Sequence, residues 1–166
     1  MKNQLLKITS VVLLVWTAFA CTSQPVSVKA ETTEKRKIVS LNGTITEIIY
    51  ALGAGDEVVA VDVTSTFPAE TVKLTNLGHL SSISAESILG SAPTHVIGFK
   101  DEVKPELMQQ LQQAGVEVVL YEREFSVKGA QQVIQKVARW LDRTEIGQQL
   151  VASIDTNVKS LKDMKN

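Results

Sequence analysis

Little in this sequence could brace a disulfide scaffold or enclose a bare metal ion. Its 166 residues hold one cysteine, Cys21, and two histidines, His79 and His95. A lone cysteine excludes a disulfide framework and a cysteine-based zinc cluster, and two histidines are too few for a multi-histidine metal site. An excess of charge is lacking as well: 17 Lys and Arg stand against 18 Asp and Glu, for a net charge of −1. The basic residues are scattered rather than striped, which excludes an extended nucleic-acid surface. Gly-x-Ser-x-Gly, Walker and His-Glu-x-x-His motifs are missing, so the commonest signatures of hydrolases, nucleotidases and metalloproteases are gone. What remains, 44% hydrophobic and 21% charged residues, is ordinary for one globular domain or one lobe of something larger.

The first twenty residues contain no acid. Lys2 and Lys7 precede the apolar run Ile8 to Ala20, a basic head, apolar middle and small-residue exit that predict a signal peptide over 1–20. Ala18-Phe19-Ala20 before Cys21 resembles the exit of a bacterial lipoprotein, whose new terminal cysteine is acylated. Val28-Lys29-Ala30 is an alternative exit that would release a soluble protein. Residues 21–37 are polar and lack an apolar period, as a flexible tether does.

From Lys37 onward, short apolar runs alternate with amphipathic ones. Ile38 to Leu41, Glu57 to Val61, Thr94 to Phe99 and Val116 to Tyr121 read as strands. Thr44 to Glu47 reads as a capping box, and Ile45, Ile48, Ile49 and Leu52 recur at helical spacing until Gly53. Asp62 to Ser82 reads as a long loop. Ser84 caps a short helix, Pro105 opens another that Gly115 closes, and Val127 to Leu141 and Thr144 onward supply two more. This βαβ rhythm predicts an α/β fold: a parallel sheet with helices on both faces, ending in a long helix. Gly53-Ala54-Gly55 follows a helix and precedes a strand, the reverse of a dinucleotide-binding loop. His95, mid-strand, reads as a structural sheet residue.

Five segments, in order, carry a resemblance: KIVSLNGTITEIIYALG, EVVAVDVTSTFP, LGHLSSISAESIL, PTHVIGF and LQQAGVEVVLY. Together they cover about residues 37–141 and resemble the periplasmic substrate-binding proteins of bacterial haem and iron-complex ABC importers, a group that includes cobalamin and siderophore binders. The resemblance implies two α/β lobes joined by one long helix, with cargo held in the cleft between them. It makes 38–141 the N-terminal lobe and 144–166 the start of the inter-lobe helix, with the second lobe absent from the sequence. It implies capture of haem for iron transport without bond-making chemistry, no permanently bound cofactor, a permease in the inner membrane as partner, no nucleic-acid partner, and membrane contact only through a lipid on Cys21. His79 stands where haem-binding relatives commonly place a tyrosine that ligates the iron, so it is the expected axial ligand. Relatives often have an arginine for a haem propionate where this chain has Ser81; Lys100 or Arg123 could supply that charge instead. The loop Thr64-Ser65-Thr66-Phe67, with Ser81 and Lys100, is expected to border the cleft, and Glu86 to dock on the permease. Rival readings are a ferric-siderophore or cobalamin binder of the same family, a non-functional truncated remnant, and a small periplasmic enzyme, the last lacking any nucleophile–base constellation.

Overall fold

A computed structural model of the protein describes residues 35–164. The signal segment 1–20, Cys21 and most of the tether lie outside the described residues. Five strands, β1 (Ile38–Ser40), β2 (Val58–Val61), β3 (Thr75–Asn76), β4 (His95–Phe99) and β5 (Glu117–Tyr121), form one sheet in the order β3-β2-β1-β4-β5. Every pairing is parallel. The helices are α1 (Gly43–Ala51), α2 (Ala85–Leu89), α3 (Pro105–Gln113), α4 (Val127–Trp140) and α5 (Thr144–Met164).

Alternation along the short strands decides which helices cover which face. Ile38, Val58, Val61, Ile97 and Phe99 point to the side where Ile45, Ile49 and Leu52 of α1 pack with Val133, Ile134 and Val137 of α4. Val39, Ala60 and Val96 point the other way, onto Ile88 of α2 and Leu107 and Leu111 of α3. A parallel sheet needs both faces covered, and each fully buried Ile or Leu contributes about 1.5–3 kcal/mol. The first half of α5 packs on α4 through Ile146, Leu150, Val151 and Ile154. Gly147 permits that approach, because a Cβ there would sit on Ala138. Further along α5, Leu161 and Met164 are 62% and 73% exposed.

The sequence expectations need two corrections. The cap of α1 is Asn42 rather than Thr44: the Asn42 side chain accepts the Thr44 amide at 2.8 Å, and the helix begins at Gly43. The stretch 62–82 is not structureless, since it carries 3₁₀ turns at Ala69–Lys73 and Leu80–Ser82 and the edge strand β3. Ser84 does cap α2, accepting from the Ser87 amide, and Pro105 occupies the first turn of α3.

Candidate functional site

The chain runs from β1 outward to β2 and β3, then returns to β4 on the other side of β1. Such a reversal leaves a crevice beyond the carboxyl ends of the strands, the usual place for a ligand in an open parallel sheet. A depression of about 280 Å³ lies there, built from successive strand-end loops: Leu41 and Asn42 after β1, Asp62 to Thr64 after β2, His79 to Ser81 after β3, and Glu102 and Lys104 after β4.

His79 is held at the backbone and open at the side chain. Leu77 donates its amide to Val61 at 2.8 Å, and Val63 donates to the Gly78 carbonyl at 2.9 Å. The Gly78 amide is held by Asn76 Oδ1 at 2.8 Å, with φ at 84°, a left-handed conformation suited to glycine. The His79 carbonyl then accepts both the amide and the hydroxyl of Ser82. Its imidazole is exposed and makes no hydrogen bond among the described residues.

Beneath the depression runs a polar network. Asp62, 2% exposed, accepts the Thr64 hydroxyl at 2.6 Å and the Ser65 hydroxyl at 2.7 Å. Thr64 Oγ1 in turn accepts the Gly43 amide, and Thr46 Oγ1 lies 2.8 Å from both Ser65 Oγ and Ser40 Oγ. Gly43 is required by this closeness, since a Cβ there would stand 2.5 Å from the Thr64 carbonyl oxygen. The network locks the loop after β2 to the start of α1.

The residues singled out from sequence therefore separate. His79, Thr64 and Ser81 come together in the depression. Ser65 does not: it is buried, and its hydroxyl is consumed by Asp62 and Thr46, which corrects the expectation of a ligand contact. Phe67, 64% exposed, turns instead to a larger apolar groove of about 540 Å³ between α1, α4 and α5, bordered by Phe99, Phe125 and Ile154. Thr66 is exposed and borders neither concavity. Lys100 is drawn to Glu122 at 3.3 Å, on a neighbouring depression. Arg123 is committed elsewhere: it bonds Asp101 at 2.7 Å and Glu102 at 2.8 Å and lies over the rings of Phe99 and Phe125. That guanidinium holds the Asp101 carboxyl below its usual range, and the hydrogen bond it donates to Asp101 raises Arg123 in return. Glu86 is exposed in the first turn of α2, at the same end of the lobe.

His95 sits at the opposite, amino end of the sheet. Its Nδ1 is 2.7 Å from the Thr94 hydroxyl, its Nε2 is 3.3 Å from Glu117, and its ring meets Trp140 edge-on. That is a structural environment, as the sequence suggested. Lys104 is the residue sequence reasoning passed over. It lies in the loop after β4, and its Nζ donates to the Ser81 carbonyl at 3.2 Å. Only the folded sheet brings it beside His79.

Residues 38–164 match the model of the periplasmic binding protein family. The solved apo structure of the periplasmic heme-binding protein RhuT from Roseiflexus sp. RS-1 is 40% identical with a TM-score of 0.73, and the match covers 78% of this chain and 49% of that one. The ABC transporter substrate-binding lipoprotein YvrC of Bacillus subtilis is 29% identical over 143 residues, 85% of this chain and 44% of that protein. A vitamin B12-binding protein of Vibrio campbellii is 26% identical over 131 residues, 79% and 47% of the two chains. The chain thus spans about half the length of the relatives it matches.

Proposed function

The chain belongs to the periplasmic binding protein family, and from that membership we propose that it captures haem outside the cytoplasm and delivers it to an ABC permease. In this reading residues 38–141 are the N-terminal cargo lobe and α5 is the start of the helix toward a second lobe. The carrying observation is His79: an exposed imidazole at the carboxyl edge of a parallel sheet, on a backbone fixed by β3 and the Gly78 turn. Imidazole is a competent axial ligand for haem iron. Among the described residues no three His, Cys, Asp or Glu side chains gather into a set able to hold a bare metal ion. A metal already chelated by its own macrocycle suits a single protein ligand. Thr64 and Ser81 border the cargo. The protein makes or breaks no bond in its cargo; it binds, orients and releases. Glu86, exposed at the same end of the lobe, presents a carboxylate to a basic partner on the permease, and acylation of Cys21 keeps the lobe at the membrane.

Likeness to the heme-binding RhuT supports haem. Likeness to the vitamin B12-binding protein of Vibrio campbellii supports a second reading, cobalamin, whose cobalt an imidazole can also ligate. Titration of the purified protein with haemin tests the choice. Haem capture gives a shifted Soret band that His79→Ala weakens or moves; cobalamin capture gives a corrin band change and leaves the Soret region unshifted. A haemin spectrum unaltered by the wild-type protein overturns the haem assignment, and an altered spectrum that survives His79→Ala overturns only the ligand.

A further inference from the structure

The two edges of the sheet are unlike. The β3 edge is two exposed polar residues long, too short to template another strand. The β5 edge is five residues long, and all of them but Glu117 are half-buried. It pairs with β4 in unbroken parallel register from Glu117 to Tyr121. From Val118 to Tyr121 it carries no charge, proline or bulge, the devices that blunt a free edge.

Its backbone phase is fixed. Glu117 donates its amide to the Thr94 carbonyl at 3.0 Å, and the Tyr121 carbonyl accepts the Lys100 amide at 2.9 Å. By the period of two, residues 117, 119 and 121 spend their backbone groups on β4, while Val118 and Leu120 aim theirs outward. Among the described residues nothing hydrogen-bonds to those outward groups.

We propose that β5 pairs antiparallel with β5 of a second copy of this chain, about a twofold axis at Val119, joining the two five-stranded sheets into one. This pairing does not depend on the identity of the cargo. Its register is self-complementary. Val118 faces Leu120 of the other copy, and each pair exchanges both backbone hydrogen bonds through the groups that point outward. Among registers of that phase, only this one pairs every residue of the strand. Val118 then packs beside the other copy's Leu120 on one face of the sheet. On the opposite face Val119 meets Val119, and Glu117 meets Tyr121. Glu122 falls opposite Val116, so the acids at the two ends of the strand never oppose one another.

Sedimentation equilibrium of the purified protein is expected to show monomer and dimer in exchange, with a dissociation constant of about 10–500 μM, as suits a short edge and a small interface. Exchange of the Val118 and Leu120 amides should slow as the concentration rises. Val118→Pro deletes an outward donor and no bond to β4, so with one donor lost per copy association is expected to weaken about thirtyfold. In a Cys21→Ser background, Val119→Cys should form an intermolecular disulfide under mild oxidation, since the facing Cα atoms of such a pair stand about 4.5 Å apart. Val72→Cys, at a site 83% exposed just before β3 at the other edge, should not cross-link. A protein that stays monomeric to about 1 mM overturns the proposal. So does a dimer that Val119→Cys fails to lock, or one that Val118→Pro leaves intact while melting as wild type does. If Val118→Pro melts early, the two cysteine variants alone decide.

Discussion

Replacing Asp62 by alanine tests whether the polar network, rather than loop–ligand contact, fixes the rim of the depression. Asp62 accepts the Thr64 hydroxyl at 2.6 Å, the Ser65 hydroxyl at 2.7 Å and the Thr64 amide at 3.2 Å, all within a site 2% exposed. Hydrogen bonds to a charged group each stabilise by about 1.5–3 kcal/mol net, so the gross loss is large. Two effects reduce it. Thr64 is exposed, so water replaces its lost acceptor; Ser65 retains Thr46 Oγ1 at 2.8 Å. Removing the carboxylate also recovers the cost of burying it. One unreplaced charged bond and a small cavity remain, and we expect a loss of about 2–3 kcal/mol. With a urea slope of about 1.5–2 kcal/mol/M the midpoint falls by about 1–2 M at unchanged slope. Amide exchange at Gly43 and Ser65 should quicken, because Thr64 Oγ1 loses the partner that orients it toward the Gly43 amide. Asp62→Asn, which keeps the shape but offers a donor to one hydroxyl, is expected to fall between the two proteins. A loss under about 0.5 kcal/mol, or one no larger than that of the exposed Asp101→Ala, refutes the reasoning.

Gly78→Ala is expected to cost about 1–2 kcal/mol in a thermal melt, because φ is 84° and a Cβ there meets nothing within 4 Å, leaving only the backbone penalty; the same change should weaken haemin binding by displacing His79, and unchanged stability would contradict the turn. Tyr50 and Tyr121 are the only tyrosines, and burial raises both, Tyr121 to about 12. The folded chain keeps protons that the unfolded chain loses near pH 10, so stability present below that pH is lost as pH rises toward 12. Native tyrosinate absorbance should therefore appear later than in urea, and Tyr121→Phe should flatten the alkaline slope of the urea midpoint. At the acid end, Arg123 holds the Asp101 carboxyl low, so its contribution is present above the ordinary carboxylate range and fades as pH falls through the lower native value. The stability gap between wild type and Asp101→Asn should close on acidification, and a gap independent of pH would exclude the pairing.

The sheet was legible because its central strands β1, β2 and β4 are buried on both faces and so read as apolar runs between helical periods, with β5 half-buried at the edge. β3 was not, for its two residues are exposed and polar and become a strand only by pairing with Ala60 and Val61. Thr44 and Glu47 match a capping pattern, but the amide of Gly43 is bound by Thr64 from a distant loop, and the helix starts two residues earlier, capped by Asn42. Local pattern lost there to a tertiary contact. His79 stood out because it stands where haem-binding relatives commonly place a tyrosine, whereas its own surroundings in the sequence mark only a loop histidine. Lys104 lies 25 positions later with no motif around it, and its relevance arises only from the sheet order that sets the loops after β3 and β4 at one edge.

The fate of the hydroxyls explains why chemically plausible residues sort into two groups. In sequence, Thr64 and Ser65 look equally able to meet a ligand, while Thr46 belongs to a capping pattern and Ser40 is simply part of a strand. In the fold, Ser65, Thr46 and Ser40 satisfy one another and Asp62 beneath the surface, and Thr64 spends its proton on Asp62 while its oxygen accepts the Gly43 amide. A hydroxyl has one proton, and these have used theirs inside the protein. Their contribution is rigidity: the loop after β2 is tied to the end of β1 and to the start of α1. Groups with unused valence are then the ones whose roots are fixed and whose tips are not, the His79 imidazole and the Lys104 ammonium. Preorganised roots reduce the ordering cost of binding, which on the proposed reading lets an open depression hold a rigid, flat cargo whose own chemistry supplies the remaining metal ligands.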